Sequence, residues 1–224
     1  RWQSMKVDWS TFWPRIIEAT GETLYMVILT LGFGSILGIS IGILLFVTRE
    51  NNILESKLTF NVLNILINIV RPIPFLIFLV AISPLTRIVM GTTIGTSAAV
   101  FPMTIAAAFG IARIVETNLI SIDPGVIEAA KAMGASPLQI IFTVLIPEAL
   151  GPLILGLTFV TISLIDFSAI AGTVGGGGLG HIAITYGYQR FDGSVMIVTV
   201  VILIALVQLA QWLGNTLAKK ILRR

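Results

Sequence analysis

The chain has 224 residues, 56% hydrophobic and 11% charged, with a formal net charge of +3. Soluble domains carry about 25% charged residues, so this chain has too few polar groups to cover a water-facing surface, which excludes an ordinary soluble domain and a disordered chain. With no cysteine and a single histidine, His181, disulfides, thiolate metal sites and a histidine-rich metal centre are excluded too.

Residues 1–15 are polar and aromatic and lack the apolar run of a secretory signal peptide. Met5 is read as the native start, with linker residues before it. A membrane-spanning helix needs about 20 mostly apolar residues. Five stretches meet that need, at about 24–47, 58–82, 94–118, 149–170 and 195–218. The expected fold is therefore an all-α membrane protein of five transmembrane helices. With no internal repeat or linker, residues 1–224 read as one domain.

Five spans put the two ends on opposite sides. The basic tail, Lys219, Lys220, Arg223 and Arg224, places the C-terminus in the cytoplasm and the N-terminus outside. Arg49, Lys57, Arg113 and Lys131 then also lie inside. Arg1, Lys6, Arg15, Arg87 and Arg190 lie outside. This asymmetry is an orientation signal, not a nucleic-acid footprint.

In the first span Gly34, Gly38 and Gly42 repeat every four residues and make one flat helix face. Such spacing lets two backbones approach closely, and packing within the chain is favoured over a dimer contact. The second span holds the cation Arg71. Asn61, Asn64, Asn68 and Arg71 share its face, which should point into the bundle or a water-filled path. Asn68 and Arg71 are pathway candidates, set against plain interhelical hydrogen bonding. Pro72 and Pro74 follow and free backbone carbonyls.

Asp166 is a carboxylate inside the fourth span. It can pair with Arg71, stay protonated, sit near a proton path or lie exposed at the outer interface. Ile170, one turn on, is a candidate apolar constriction, with core packing as the alternative. Gly175, Gly177 and Gly180 spell GxGxxG, but they follow a span, not a strand, so a tight turn with close backbone packing is expected instead of a nucleotide site. His181, Tyr186, Tyr188 and Arg190 fall in the outer connection, read as a loop that either touches a binding protein or is simply solvated. No nucleophile–His–carboxylate set and no paired carboxylates occur at a recognisable spacing, so enzymatic activity of the chain itself is unsupported.

The segment 121–147 reads SIDPGVIEAAKAMGASPLQIIFTVLIP. Asp123 can cap a helix that starts at Pro124, runs to Met133 and stops at Gly134. Ser136 and Pro137 begin a second helix, and Pro147 and Pro152 mark kinks where the fourth span starts. The first helix is about 15 Å long and cannot cross a bilayer. Its apolar stripe, Val126, Ile127, Ala130 and Met133, suits docking into a groove on a cytoplasmic partner, or packing on the bundle or the membrane surface.

Glu128-Ala129-Ala130, Gly134 and Val144-Leu145-Ile146-Pro147 resemble the "EAA" loop of importer-type ABC transporter permeases. The spacing matches throughout, with Val144 and Ile146 as conservative replacements. IVRPIPFLIFLV (69–80), TRIVMGTTIG (86–95), IARIVETNLISIDPGVIEAAKAMGASPLQI (111–140) and AGTVGGGGLG (171–180) are similar to the methionine-importer permease branch. The resemblance implies a type I importer permease core used as a homodimer in a bacterial cytoplasmic membrane. It implies a coupling helix in which Glu128, Ala129, Ala130, Met133, Gly134 and Pro147 engage an ATPase subunit, present in two copies. It also implies a substrate-binding lipoprotein outside, and methionine, L or D, as cargo. Another amino acid or small organic solute is the alternative cargo; an ATPase-independent channel or carrier is the alternative class. The chain contains no GxxxxGK[ST] loop, so ATP and Mg would bind the partner, and no cofactor is expected in this chain.

Overall fold

The computed structural model describes residues 7–222. Met5 and the cations Arg1, Lys6, Arg223 and Arg224 lie outside the described residues. Every element among those described is helical.

Helix α1 spans Trp9–Val47 and extends well ahead of the span expected at 24–47. Asp8 caps it by accepting from the Ser10 amide, and the Ser10 hydroxyl and amide hold the Asp8 carboxyl below its usual value. The 39 residues measure about 58 Å, well beyond the roughly 30 Å hydrocarbon core. The extension forms because Phe12, Ile16 and Ala19 share a face and bury against Leu179, Ile182 and Val195.

The glycine face of α1 packs on α5 (Thr96–Ile120). A Cβ added at Gly38 would stand 2.7 Å from the Ala108 carbonyl oxygen, and one at Gly42 2.6 Å from that of Ala112. The close approach is therefore within the chain. α5 is the most enclosed long helix, and Met103, Ile111, Ala112 and Leu119 are fully buried along it.

The expected continuous span 58–82 is broken. α2 covers Lys57–Val70 and α3 covers Phe75–Ala81, with their axes turned through 109°. Pro72 and Pro74 explain the break: neither has an N–H to donate, and each ring clashes with the carbonyl four residues back. α4 (Ser83–Met90) ends on Gly91 at φ +76°.

Two short helices follow α5, namely α6 (Pro124–Ala132) and α7 (Pro137–Ile140), the latter closed by a reciprocal Ser136–Gln139 cap. α8 covers Ile146–Thr173. The helical path runs unbroken from Pro137 to Thr173 through Pro147 and Pro152. A π-helical turn, Ile141–Leu145, lies just ahead of Pro147, and there the Ile146 amide reaches back to the Ile141 carbonyl. The outer connection, expected to be a loop, is also helical. It contains α9 (Gly178–Ile182) and a π-helical segment, Ala183–Gln189, before α10 (Gly193–Leu222).

Among the described residues four helical stretches are long and apolar enough to cross a membrane, and the bent α2–α3 pair makes a fifth if it counts as one span. The main core lies among α1, α5 and α8, around Met26, Met103, Ile111 and Leu164.

Candidate functional site

Three features stand out: an exposed short helix, a buried charge network and a mostly apolar cavity at the broken span.

The short helix is α6. The Asp123 carboxylate accepts from the Gly125 amide at 2.8 Å, and Pro124 supplies the first helical position. At the other end Gly134 adopts φ +79°. Its amide donates to the Lys131 carbonyl at 2.9 Å, and the Ala135 amide donates to Ala130 at 3.1 Å. That pair of bonds is the Schellman closure, which needs a left-handed residue at Gly134.

The expected apolar stripe divides. Ala130 is buried and Ile127 packs against the core, whereas Val126 and Met133 face outward, Met133 at 81% exposure. One edge of α6, at Ala130 and Ile127, therefore meets the main core, and the rest of the stripe is left uncovered. Glu128, Ala129, Gly134 and Pro147 are exposed. Leu138 and Phe142, each 65% exposed, add to the same apolar surface.

The buried network joins α2 and α5 to the turn that follows α1. Glu116 on α5 is 1% exposed. Its carboxylate accepts from Arg113 Nη1 at 2.5 Å and from Arg49 Nη1 at 3.1 Å. Arg113 Nη2 donates onward to Asn64 Oδ1 at 2.9 Å and Asn68 Oδ1 at 2.7 Å on α2. Charged partners on both sides are what make burial of this carboxylate tolerable. Sequence reasoning placed Asn64 and Asn68 on one face but missed their partner. The available signal was Arg113 and Glu116 three residues apart on an apolar helix.

Arg71 is not part of that network. It stands at the α2–α3 break and lines a cavity of about 310 Å³ with Val70, Phe75, Gly110, Phe159, Ser163 and Phe167. Among the described residues it has no hydrogen-bond or ion-pair partner. Arg71 is itself exposed. A larger space of about 440 Å³ among α1, α8 and α10 is lined by apolar and threonine side chains and glycine, with no charge.

Asp166 is exposed on α8 and forms no ion pair with Arg71 within the chain. Ile170 is half-buried and packs against the main core. Asn61 is exposed. His181 is exposed, with Nδ1 3.4 Å from the Thr185 hydroxyl. Tyr186 sits between two arginines: Arg15 donates to its hydroxyl at 2.8 Å, and Arg190 lies 4.4 Å from its ring centroid. The glycine run is a junction, as expected. Glu22 accepts from the Gly178 amide at 2.6 Å, and Gly95 donates to the Gly175 carbonyl at 2.8 Å.

Residues 34–223 match the family described as "Binding-protein-dependent transport system inner membrane component". The chain belongs to this family. The permease is 46% identical over 206 residues to the Vibrio cholerae protein named "Probable D-methionine transport system permease protein MetI", covering 92% of each. It is 40% identical over 218 residues to the Bacillus subtilis "Methionine import system permease protein MetP", covering 97% of this chain and 96% of that one. It superposes on a chain of the inward-facing MetNI methionine ABC transporter with a TM-score of 0.92 at 40% identity, covering 96% of this permease and 99% of that chain. The helical architecture described above is thus the permease fold of that importer.

Proposed function

We propose that this permease is the membrane-spanning subunit of an ATP-driven methionine importer. The observation that carries the reading is the near full-length likeness, in sequence and fold, to permeases named for methionine. The cargo on this reading is methionine, D as in the Vibrio cholerae relative's name and L as well.

On this reading residues 1–224 form one permease domain that works as two copies. Two ATPase subunits sit below them, holding ATP and Mg, and a substrate-binding lipoprotein delivers cargo outside. The N-terminus is outside and the C-terminus cytoplasmic. α6 is the coupling helix. Its exposed Glu128, Ala129 and Met133, with Gly134 and Pro147, meet the ATPase, while Ala130 anchors the helix to the rest of the chain. ATP closes the ATPase pair and draws the two α6 helices together. Because α6 is tied to the core through Ala130 and Ile127, its movement is passed to the spans, which switch from inward-open to outward-open. The driving free energy is the difference in contacts that α6 makes with the two ATPase states. Asn68, Arg71, Asp166 and Ile170 belong to the pathway.

The test is uptake of labelled methionine into proteoliposomes holding the permease, its ATPase and its binding protein. Wild type should take up methionine with ATP. The Glu128→Arg, Gly134→Trp double variant should still hydrolyse ATP but lose uptake. Undiminished coupled uptake by that variant would overturn the coupling assignment.

A further inference from the structure

We infer that the cavity at the α2–α3 break is a binding site for a free zwitterionic amino acid, with Arg71 holding the carboxylate. This rests on the import reading and adds to it a stop for the cargo inside each permease copy.

The argument starts from unequal provision of charge. Arg113 and Arg49 share a buried carboxylate, Glu116. Arg71 has no such partner among the described residues, and it is the one charged residue lining the cavity. A guanidinium in an apolar wall, with its five donors unassigned, fits a carboxylate that comes and goes. The fork of an arginine matches two carboxylate oxygens at once.

The ammonium end of the ligand has one further polar side chain to meet in the same cavity, Ser163. The Ser163 hydroxyl donates to the Phe159 carbonyl at 3.1 Å, which leaves its oxygen free to accept.

The rest of the wall suits an apolar side chain. Phe167 stacks on Phe75 with centroids 4.2 Å apart and planes within 7°, and both line the cavity beside Phe159. Aromatic surfaces make favourable contacts with a thioether sulfur. The space is also open at Gly110, where an added Cβ would meet nothing within 4 Å. The larger cavity among α1, α8 and α10 offers no charged group to hold a carboxylate.

The experiment is equilibrium binding of tritiated methionine to the permease–ATPase complex in nanodiscs, without the binding protein. Wild type should bind saturably. Arg71→Ala should weaken binding about 10- to 100-fold, the loss of one charge-assisted hydrogen-bond pair, and Arg71→Lys should recover part of it. Gly110→Leu, which fills the space, should abolish saturable binding. Methioninol, which lacks the carboxylate, should compete poorly against wild type. Absence of saturable wild-type binding, or equal competition by methioninol, would overturn the site. So would restoration of Arg71→Ala binding by adding Asp166→Ala, since that would show Arg71 pairing with the carboxylate of a second copy. ATP-driven uptake with the binding protein is measured on the same preparations. Intact uptake alongside those results discards the site alone; absent wild-type uptake discards the import reading.

Discussion

The Thr23 hydroxyl oxygen accepts from the Leu179 amide at 2.9 Å, across 156 residues of chain. Both residues are fully buried, Thr23 at 1% and Leu179 at 0% exposure. With Glu22 accepting from Gly178 one residue earlier, this contact pins the start of α9 to the extended part of α1. Thr23→Val keeps the shape but orphans a buried N–H. It should cost about 1–3 kcal/mol, seen as a lower melting temperature of the detergent-purified protein.

The glycine face of α1 gives a sharper contrast. Gly38→Ala and Gly42→Ala each place a Cβ within 2.7 Å of an α5 carbonyl oxygen, which cannot move without shifting the helix. Each should destabilise by about 1–3 kcal/mol. Gly32→Ala, on the same helix, meets nothing within 4 Å. It should be neutral or stabilising by up to about 1 kcal/mol. Thermal unfolding of the three variants side by side checks this, and equal effects at Gly32 and Gly38 would contradict the packing described.

Glu116 is the hub of the buried network. Glu116→Ala leaves Arg113 and Arg49 without their carboxylate and should destabilise by about 3 kcal/mol. Asn68→Ala removes one acceptor from a partly exposed arginine and should cost about 1 kcal/mol or less. Because Arg113 bonds both Glu116 and Asn68, the double variant should cost less than the sum of the singles. A thermodynamic cycle on melting curves measures the difference.

Gly134 holds a left-handed conformation with open space around it. The effect of Gly134→Ala is therefore conformational and not steric, about 1–2 kcal/mol against the α6 terminus. Gly134→Asn should be milder, since asparagine tolerates that conformation. ATP-driven methionine uptake should follow the same order, wild type above Asn above Ala, with ATP hydrolysis retained. An unchanged uptake rate in Gly134→Ala would show that the α6 terminus need not be held in this shape.

What the sequence determined by itself was local chemistry. Asp123, Pro124 and Gly134 bound α6 to within one residue of its observed end, because capping involves groups only a few residues apart. The four-residue glycine repeat set which face of α1 would admit a close neighbour, since helical periodicity is intrinsic to the backbone. The EAA spacing led to the family, which the comparisons show. Tertiary structure decided the rest. Hydropathy averaged across Arg71–Pro74 ran two helices into one span, although the 109° turn there makes the cavity. Polar and aromatic residues at the start of α1 hid a helix that exists because Phe12 and Ile16 find Leu179 and Ile182. Arg113 is 49 residues from Asn64, and Arg49 is 67 from Glu116. No window along the chain spans those distances, so only the packing of α1, α2 and α5 could bring the charges together and leave Arg71 apart from them.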